Sequence, residues 1–370
     1  MQPDTHPGFE RGRFMLTDFY SGKNVFVTGH TGFKGAWLSY WLEKLGASIT
    51  GYSIDIPTQP SFFTALDVGQ RLTHITGDIR DLAQLTEALR NSQAQIVFHL
   101  AAQSIVLESY TSPIDTFDTN VIGTLKVLEA VRQAPTVKTV VIVTTDKVYE
   151  NQRPGARFVE DDPLGGTDPY SASKACAEMG VRAYCRSFFS DRLPAIATAR
   201  AGNVVGGGDW SAHRIVPDAY RAWVNDQALQ IRNPESVRPW QHVLEPLAGY
   251  LLLARRMDEG SFASGESFNF GPAHEQALSV RALIAKLQSY WPDLQWRDAG
   301  AQPSREAAWL ELDSTKASEM LGFRAVLDVD TTLEWSALWY ESFRNGNRAD
   351  LQNLTDRQIS DYQELIAGGP

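Results

Sequence analysis

The chain has 370 residues, 43% of them hydrophobic, enough for one large core or two intimate ones and too apolar for a disordered protein. A formal charge of -10 and a pI near 5.2 leave no cationic excess to neutralise a phosphate backbone, which argues against nucleic acid as a partner. The two cysteines, Cys176 and Cys185, fall within one expected helix and suggest neither a disulfide framework nor a metal-ligand spacing.

Residues 1–20 are polar and charged, without the apolar run of a signal peptide, and no later segment approaches a membrane span. They read as a loose N-terminal extension, and the protein reads as cytoplasmic. Strands and helices then alternate. Asn24-Val25-Phe26-Val27-Thr28 is a β-prone run, and Phe33 to Leu45 follows with helical spacing, which begins a βαβ unit. In that helix Phe33, Trp37, Trp41 and Leu45 recur every four residues with Leu38 and Leu42 beside them, so one apolar stripe is expected to face a sheet. Gly46 suits the residue just past its end.

Ala47 to Ile54, Ile96 to Leu100 and Val140 to Thr144 read as further strands, with helices over Leu82 to Arg90 and Val121 to Gln133 between them. Apolar runs of this kind suit a parallel sheet covered on both faces. The expected fold is therefore α/β, a Rossmann-type doubly wound parallel sheet. After about residue 205 the alternation breaks at Gly206-Gly207-Gly208, Pro217, Pro234, Pro239 and Pro246. The expected division is an extension over 1–20, a dinucleotide-binding domain over 21–205, and a smaller, irregular α/β substrate lobe over 206–370 with some segments returning to the first domain. With no long linker and no fixed repeat, the two parts are expected to depend on each other.

Between the first strand and helix lies Gly29-His30-Thr31-Gly32-Phe33-Lys34-Gly35. Glycines there permit a tight turn and close backbone approach, and the helix N-terminus then faces a pyrophosphate. A glycine triplet also occurs in ordinary turns; Asp55, about 20 residues on at the end of the second strand, tips the balance toward a dinucleotide. An acidic side chain at that point accepts from the ribose hydroxyls of NAD and repels the extra phosphate of NADP, so NAD is the expected cofactor. Asp78 and Ile79, after the third strand, are candidates to flank the adenine, or are ordinary loop residues.

Tyr170-Ser171-Ala172-Ser173-Lys174 places a phenol and an ammonium four residues apart, on one face if the segment is helical. A nearby cation favours the phenolate and makes tyrosine a usable base. Such pairs are common by chance; this one follows the strand end at Thr144-Thr145 and the glycine loop well upstream.

In these features the chain resembles the extended short-chain dehydrogenase/reductase superfamily over about residues 20 to 365. Within it the chain is similar to the CDP-glucose 4,6-dehydratase family through Val27 to Gly35, Thr145-Asp146-Lys147, the string Arg200 to Trp210 and the string Arg238 to Pro246. The resemblance implies a nucleotide-sugar substrate, with Tyr170 taking the O4 proton as C4 is oxidised by NAD, Lys174 lowering the tyrosine pKa and holding the nicotinamide ribose, and Thr145 bonding O4. It implies a 4-keto sugar that loses water across C5 and C6, with Asp146 as acid and Lys147 as base; related dehydratases carry glutamate at the latter position. A lysine can act so only if burial or charge depresses its pKa.

The resemblance further places Ala101, Gln103 and Asn120 along the cofactor and the mouth of the site, although Gln103 and Asn120 also suit a turn and a helix cap. It implies diphosphate contacts for Asn203 and Arg238, aided by Arg214 and Arg232. It implies a homodimer built on the helix from Tyr170 to Cys185. The chain departs from the family pattern at Leu107, where arginine is usual, and at Val148, where a small residue is; Glu108 adds a negative charge nearby, and Tyr149 is a candidate to close the site. A 4-epimerase would share Thr145, Tyr170 and Lys174 and have no use for Asp146-Lys147; a catalytically silent NAD-binding protein would have no use for Tyr170 and Lys174 either.

Overall fold

The computed structural model describes residues 16–151, 157–189, 194–272, 277–300 and 310–368. Seven parallel strands form the central sheet: β1 (Asn24–Thr28), β2 (Ser48–Ser53), β3 (Thr73–Thr76), β4 (Ile96–His99), β5 (Thr139–Val143), β6 (Ala195–Ala201) and β7 (Glu266–Phe270). Their spatial order is β7-β6-β5-β4-β1-β2-β3. The order reverses between β1 and β4, the switch point where open α/β sheets form a ligand crevice. Both neighbours of β1 pair in parallel, Val25 opposite Ile49 on one side and Ile96 on the other.

Alternation along each strand builds two cores. Val25 and Val27, Ile96 and Phe98, and Val141 and Val143 point into one face; Phe26, Val97, Val140 and Ile142 point into the other. The second face is covered by α3 (Leu82–Ser92), α4 (Thr124–Arg132) and α5 (Pro169–Phe188), through Leu85, Leu89, Val127, Leu128 and Val181. The first is covered by α1 (Leu16–Tyr20), α2 (Phe33–Lys44) and α7 (Leu244–Asp258), and α6 (Ile215–Val224) joins the same core through Val216, Ala219 and Tyr220. These β-rich apolar runs form strands because both faces of each are buried.

Helix α2 differs from the expected stripe. Every residue from Gly35 to Leu42 is buried, because α9 (Arg348–Gly368) packs on its outer side and Phe62 lies between Trp37 and Trp339 of α8 (Val329–Arg344). Trp41 meets Tyr362 edge-on with ring centroids 5.8 Å apart, the Tyr40 hydroxyl donates to Asp356 at 2.6 Å, and Trp37 donates to the Gly207 carbonyl at 2.8 Å. Gly46 ends the helix at φ +82°.

The loose extension expected over 1–20 is corrected in its last part. Leu16–Tyr20 is a docked helix, with Leu16 and Tyr20 buried and the tyrosine hydroxyl on the Leu251 carbonyl at 2.8 Å. Residues 1–15 lie outside the described residues. Past residue 205 the chain alternates between the sheet and short strand pairs: Val204–Val205 with Gln241–His242, Val237–Pro239 with Ala277–Ser279, and Leu229–Ile231 with Trp296–Asp298. Helix α7 and strand β7 return to the sheet. Among the described residues no helix is long and apolar enough to cross a membrane.

Candidate active site

The glycine loop connects β1 to α2 at the switch point. Gly29 has φ +74°, and a Cβ there would lie 2.6 Å from the Ala101 nitrogen; a Cβ on Gly35 would lie 2.0 Å from the Gly29 carbonyl. These clashes explain why both positions lack a side chain. Gly32 occupies the N-cap of α2 with no side-chain cap, and the N–H groups of Phe33, Lys34 and Gly35 have no acceptor among the described residues. Three open donors at a helix N-terminus, over a backbone pared to glycine, fit a dinucleotide pyrophosphate.

Around the loop, the Thr31 hydroxyl donates to the Asp55 carbonyl at 2.6 Å, and the Asp55 side chain is exposed with no partner among the described residues. Asp78 is held in place by Arg80, through its backbone N–H at 2.8 Å and its guanidinium at 2.9 Å. Burial alone would raise that carboxyl; the Arg80 contacts override it and hold the carboxyl low. Ile79 is buried, and its Cδ1 would lie 2.6 Å from a Cβ on Gly123. His30 is wholly buried behind the loop between Ser53 at 2.9 Å and His74 at 2.6 Å. Burial, then the neighbouring His74, keeps it neutral down to about 3.

Gln103 and Asn120 bond each other. Asn120 is fully buried in a π-helical turn (Asp118–Gly123); its Oδ1 accepts the Gln103 N–H, and its Nδ2 donates to the Gln103 carbonyl and the Ser173 hydroxyl, all at 2.9 Å. Ser173 in turn donates to the Tyr170 carbonyl at 2.7 Å. The Asn120 side-chain atoms are thus used inside the protein, where they brace the tyrosine helix. The Gln103 amide is likewise occupied by Thr116 at 2.9 Å and by the Ile105 N–H at 2.5 Å.

Helix α5 starts at Pro169, capped by Asp168, which accepts the Ser171 N–H at 2.9 Å. That start places Tyr170 and Lys174 one turn apart, both buried. At the end of β5, Thr145 caps the short turn Asp146–Val148 and donates to Asp146 Oδ1 at 3.0 Å. Asp146 is 3% exposed, and a Cβ on Gly202 would lie 2.7 Å from its Oδ2. Lys147 is half-buried beside it.

Burial pushes the Tyr170 phenol up to about 12, and Asp146 adds to the rise; the Thr145 hydroxyl and then Arg214 draw it down. Arg214 is thus a second cation, beside the Lys174 expected from the resemblance, that bears on the phenol. Lys174 donates to the Val143 carbonyl at 3.3 Å, and burial brings it down to about 8 against the pull of Glu178. Arg214 is anchored to Asp209 at 3.0 Å.

On the substrate side, Asn203 Nδ2 is buried with no partner, an orphaned donor of the kind a ligand oxygen satisfies. Arg238 is buried and donates to the Val237 carbonyl at 2.9 Å. Arg232 is exposed, with no bond to the others among the described residues. Leu107 and Glu108 are exposed on one short helix, where Ser112 donates to the Glu108 carboxylate at 3.5 Å. Val148 and Tyr149 belong to a small core with Phe158, and the Tyr149 hydroxyl donates to Asn269 at 2.7 Å; the expectation that Tyr149 closes the site is thus corrected. His30, Lys34 and Gly202 were not singled out by the sequence, because their surroundings come from distant loops.

A switch-point sheet, an open glycine loop and a hydroxyl, carboxylate and phenol at one strand end define an enzyme of the extended short-chain dehydrogenase/reductase class. Residues 26–335 match the family profile described as GDP-mannose 4,6 dehydratase, and the chain belongs to that family. A CDP-glucose 4,6-dehydratase of Salmonella typhimurium is 43% identical over 351 residues, which cover 93% of this chain and 97% of that protein. A probable dTDP-glucose 4,6-dehydratase of Sinorhizobium fredii is 27% identical, covering 85% and 92%. Among solved structures, a dTDP-glucose 4,6-dehydratase from Streptomyces venezuelae with NAD bound superposes with a TM-score of 0.73 at 25% identity, covering 89% of this chain and 99% of that one.

Proposed function

We propose that the chain converts CDP-D-glucose into CDP-4-keto-6-deoxy-D-glucose, with NAD as cofactor and no net redox change. The observation that carries this reading is the buried Asp146 carboxylate bonded to Thr145 at the strand end that meets Tyr170. A 4-epimerase needs the hydroxyl and the phenol and has no task for that acid. The 43% identity to the Salmonella dehydratase supports the sugar nucleotide.

NAD, when bound, supplies the acceptor for electrons leaving C4 and later the donor for C6. The residues do the rest. Thr145 holds O4, and Tyr170 takes the O4 proton as the C4–H bond breaks. With a carbonyl at C4 the C5 proton becomes acidic, and Lys147 removes it. That electron pair forms the C5=C6 bond, and the C6 hydroxyl leaves as water with a proton from Asp146. Reduction at C6 and reprotonation at C5 complete the product.

Residues 206–370 supply most of the nucleotide site in this reading, with Asn203, Arg214 and Arg238 toward the diphosphate and Arg232 at its rim. Gly29, Thr31, Gly32, Phe33, Gly35, Asp55 and Ala101 bound the cofactor, with Asp78 and Ile79 at the adenine end. The working state is a homodimer: Ile114, Ile122 and Met179 lie 81%, 43% and 52% exposed on neighbouring helices, an apolar face that a second copy would cover. The free cysteines Cys176 and Cys185 suit the reducing cytoplasm.

The test is incubation with CDP-glucose and NAD in heavy water, following 4-keto product by its absorbance in base and deuterium at C5. Product without label rejects the elimination; activity on another nucleotide sugar alone rejects the substrate.

A further inference from the structure

A chain of hydrogen bonds runs beneath the crevice, from the glycine loop to the tyrosine helix. It begins at Ala101, whose nitrogen would lie 2.6 Å from a Cβ on Gly29 and whose N–H donates to the Thr28 hydroxyl at 3.3 Å. Thr28 ends β1 and meets His99 Nδ1 at 2.7 Å; His99 ends β4 and meets the Thr124 hydroxyl through Nε2 at 2.9 Å. Thr124, the first residue of α4, donates to the Asn120 carbonyl at 2.7 Å. From the Asn120 amide the bonds pass to Ser173 and on to the Tyr170 carbonyl. Thr28, His99, Thr124, Asn120 and Ser173 are all buried.

Proton counting fixes the direction of the bonds on both sides of the ring. A hydroxyl has one proton to give, and Thr124 gives its own to the Asn120 carbonyl, which can only accept. Thr124 must therefore accept from His99, so the ring proton sits on Nε2 and Nδ1 is the acceptor. Thr28 agrees: its oxygen accepts the Ala101 N–H, and its proton goes to Nδ1. With the proton on Nδ1 instead, the Thr28 hydroxyl would have no acceptor among the described residues, and Thr124 would have to turn its proton from Asn120 to Nε2. An imidazolium fails at Thr28 in the same way, and burial, aided by Lys174, keeps the ring neutral down to about 3.

We infer that His99, held as its neutral Nε2–H tautomer, is a positioning residue for Tyr170, fixing the helix that carries the phenol relative to the glycine loop. A buried polar network with every member satisfied favours one arrangement, so the strand ends on the two sides of the switch point and the tyrosine helix keep one separation. This role rests on the proposed NAD-dependent reaction, whose first step needs the phenol in register with a cofactor held by that loop.

The test uses the full-length protein with isotope-labelled histidine, read by nitrogen NMR at pH 7 without substrate, the His99 signal being the one lost in His99→Gln. We expect a proton on Nε2 and none on Nδ1; a proton on Nδ1, or on both nitrogens, would overturn the inference. In single turnovers His99→Leu is expected to slow reduction of the cofactor by the sugar about 10²-fold, the cost of displacing a reacting group by about 1 Å, with binding of the nucleotide sugar little changed. His99→Gln presents an oxygen and an N–H in the same acceptor and donor order, and is expected to recover most of that rate. Parental rate in His99→Leu, or equal losses in the two variants, would overturn the inference as well. Should His99→Leu not fold, a loss of about 10²-fold in His99→Gln does the same. Absence of sugar oxidation in the parent overturns the reaction and this role with it, whereas the wrong tautomer in an active parent overturns the role alone.

Discussion

Glu178 grips Arg200 through two hydrogen bonds, Oε1 to Nε and Oε2 to Nη2, each 2.9 Å long, with both side chains at most 1% exposed. The same carboxylate accepts the hydroxyls of Thr144 at 2.6 Å and Thr198 at 2.8 Å. Arg200 continues to the Tyr149 hydroxyl at 2.7 Å. One buried cluster thereby ties the helix carrying Tyr170 and Lys174 to the strand ends carrying Thr145 and Asp146. Replacing Glu178 by Gln strands a buried guanidinium, with an expected loss of about 3–5 kcal/mol in stability. A denaturant midpoint within error of the parent would refute that role.

Tyr170→Phe removes the acceptor of the O4 proton and leaves the aromatic ring in place. Oxidation of bound sugar, read as absorbance of the reduced cofactor in a single turnover, is expected to slow by about 10²–10⁴. Nucleotide-sugar binding should change little, because the phenol contributes to the step more than to the complex.

Asp146→Asn keeps the shape of the turn and removes the proton. It is expected to let oxidation proceed and to slow water loss by about 10²-fold or more, so that reduced cofactor accumulates. Dehydration at the parental rate would remove Asp146 as the acid.

Gly202→Ala tests the same carboxylate from the other side. The added methyl would lie 2.7 Å from Asp146 Oδ2, so either the loop or the acid must shift. A displacement of about 1 Å at a reacting group costs on the order of 10²-fold in rate. The variant should fold, bind cofactor normally and dehydrate slowly; parental turnover would show that the loop yields instead.

Three buried histidines, His30, His99 and His242, make acid stability a readout of the fold. Burial holds all three at about 3, with His74 adding to the effect at His30 and Lys174 at His99. The unfolded chain takes up these protons near pH 6.5, so their contribution to stability is lost as pH falls from there toward 3. Each is worth up to about 1.4 kcal/mol per pH unit in that window. Glu245 acts with the opposite sign: burial pushes it up to about 7, so its contribution is lost as pH rises from the unfolded carboxyl value toward 7. Urea midpoints at pH 7 and pH 5.5 should fall with acid, and less in His99→Gln.

Period and length made much of the sheet legible. The first strand matched its expected span, and β2, β4 and β5 differ from theirs by one residue at one or both ends, because buried parallel strands are unbroken apolar runs. Tyr170 and Lys174 were legible because helix geometry fixes their spacing. What escaped depends on parts of the chain that meet only when folded. The all-round burial of α2 comes from Tyr362 and Asp356, the contact between Gly202 and Asp146 joins two loops, and the Asn120 bonds join a π-turn to α5. Local sequence carries the period of an element and no record of its far-side neighbours.

Packing of α9 on α2 ties the far end of the chain to the phosphate loop. Tyr362 touches Trp41 and also donates to Glu245 at 2.8 Å, and Glu245 itself receives the N–H groups of Val326 and Leu327. Truncation before residue 348 would therefore expose Trp41 to water, deprive a buried carboxyl of one of its donors and loosen the helix whose first turn faces the cofactor. A trimmed protein of that kind would betray itself as an enzyme that needs excess NAD in the buffer long before it looked unfolded.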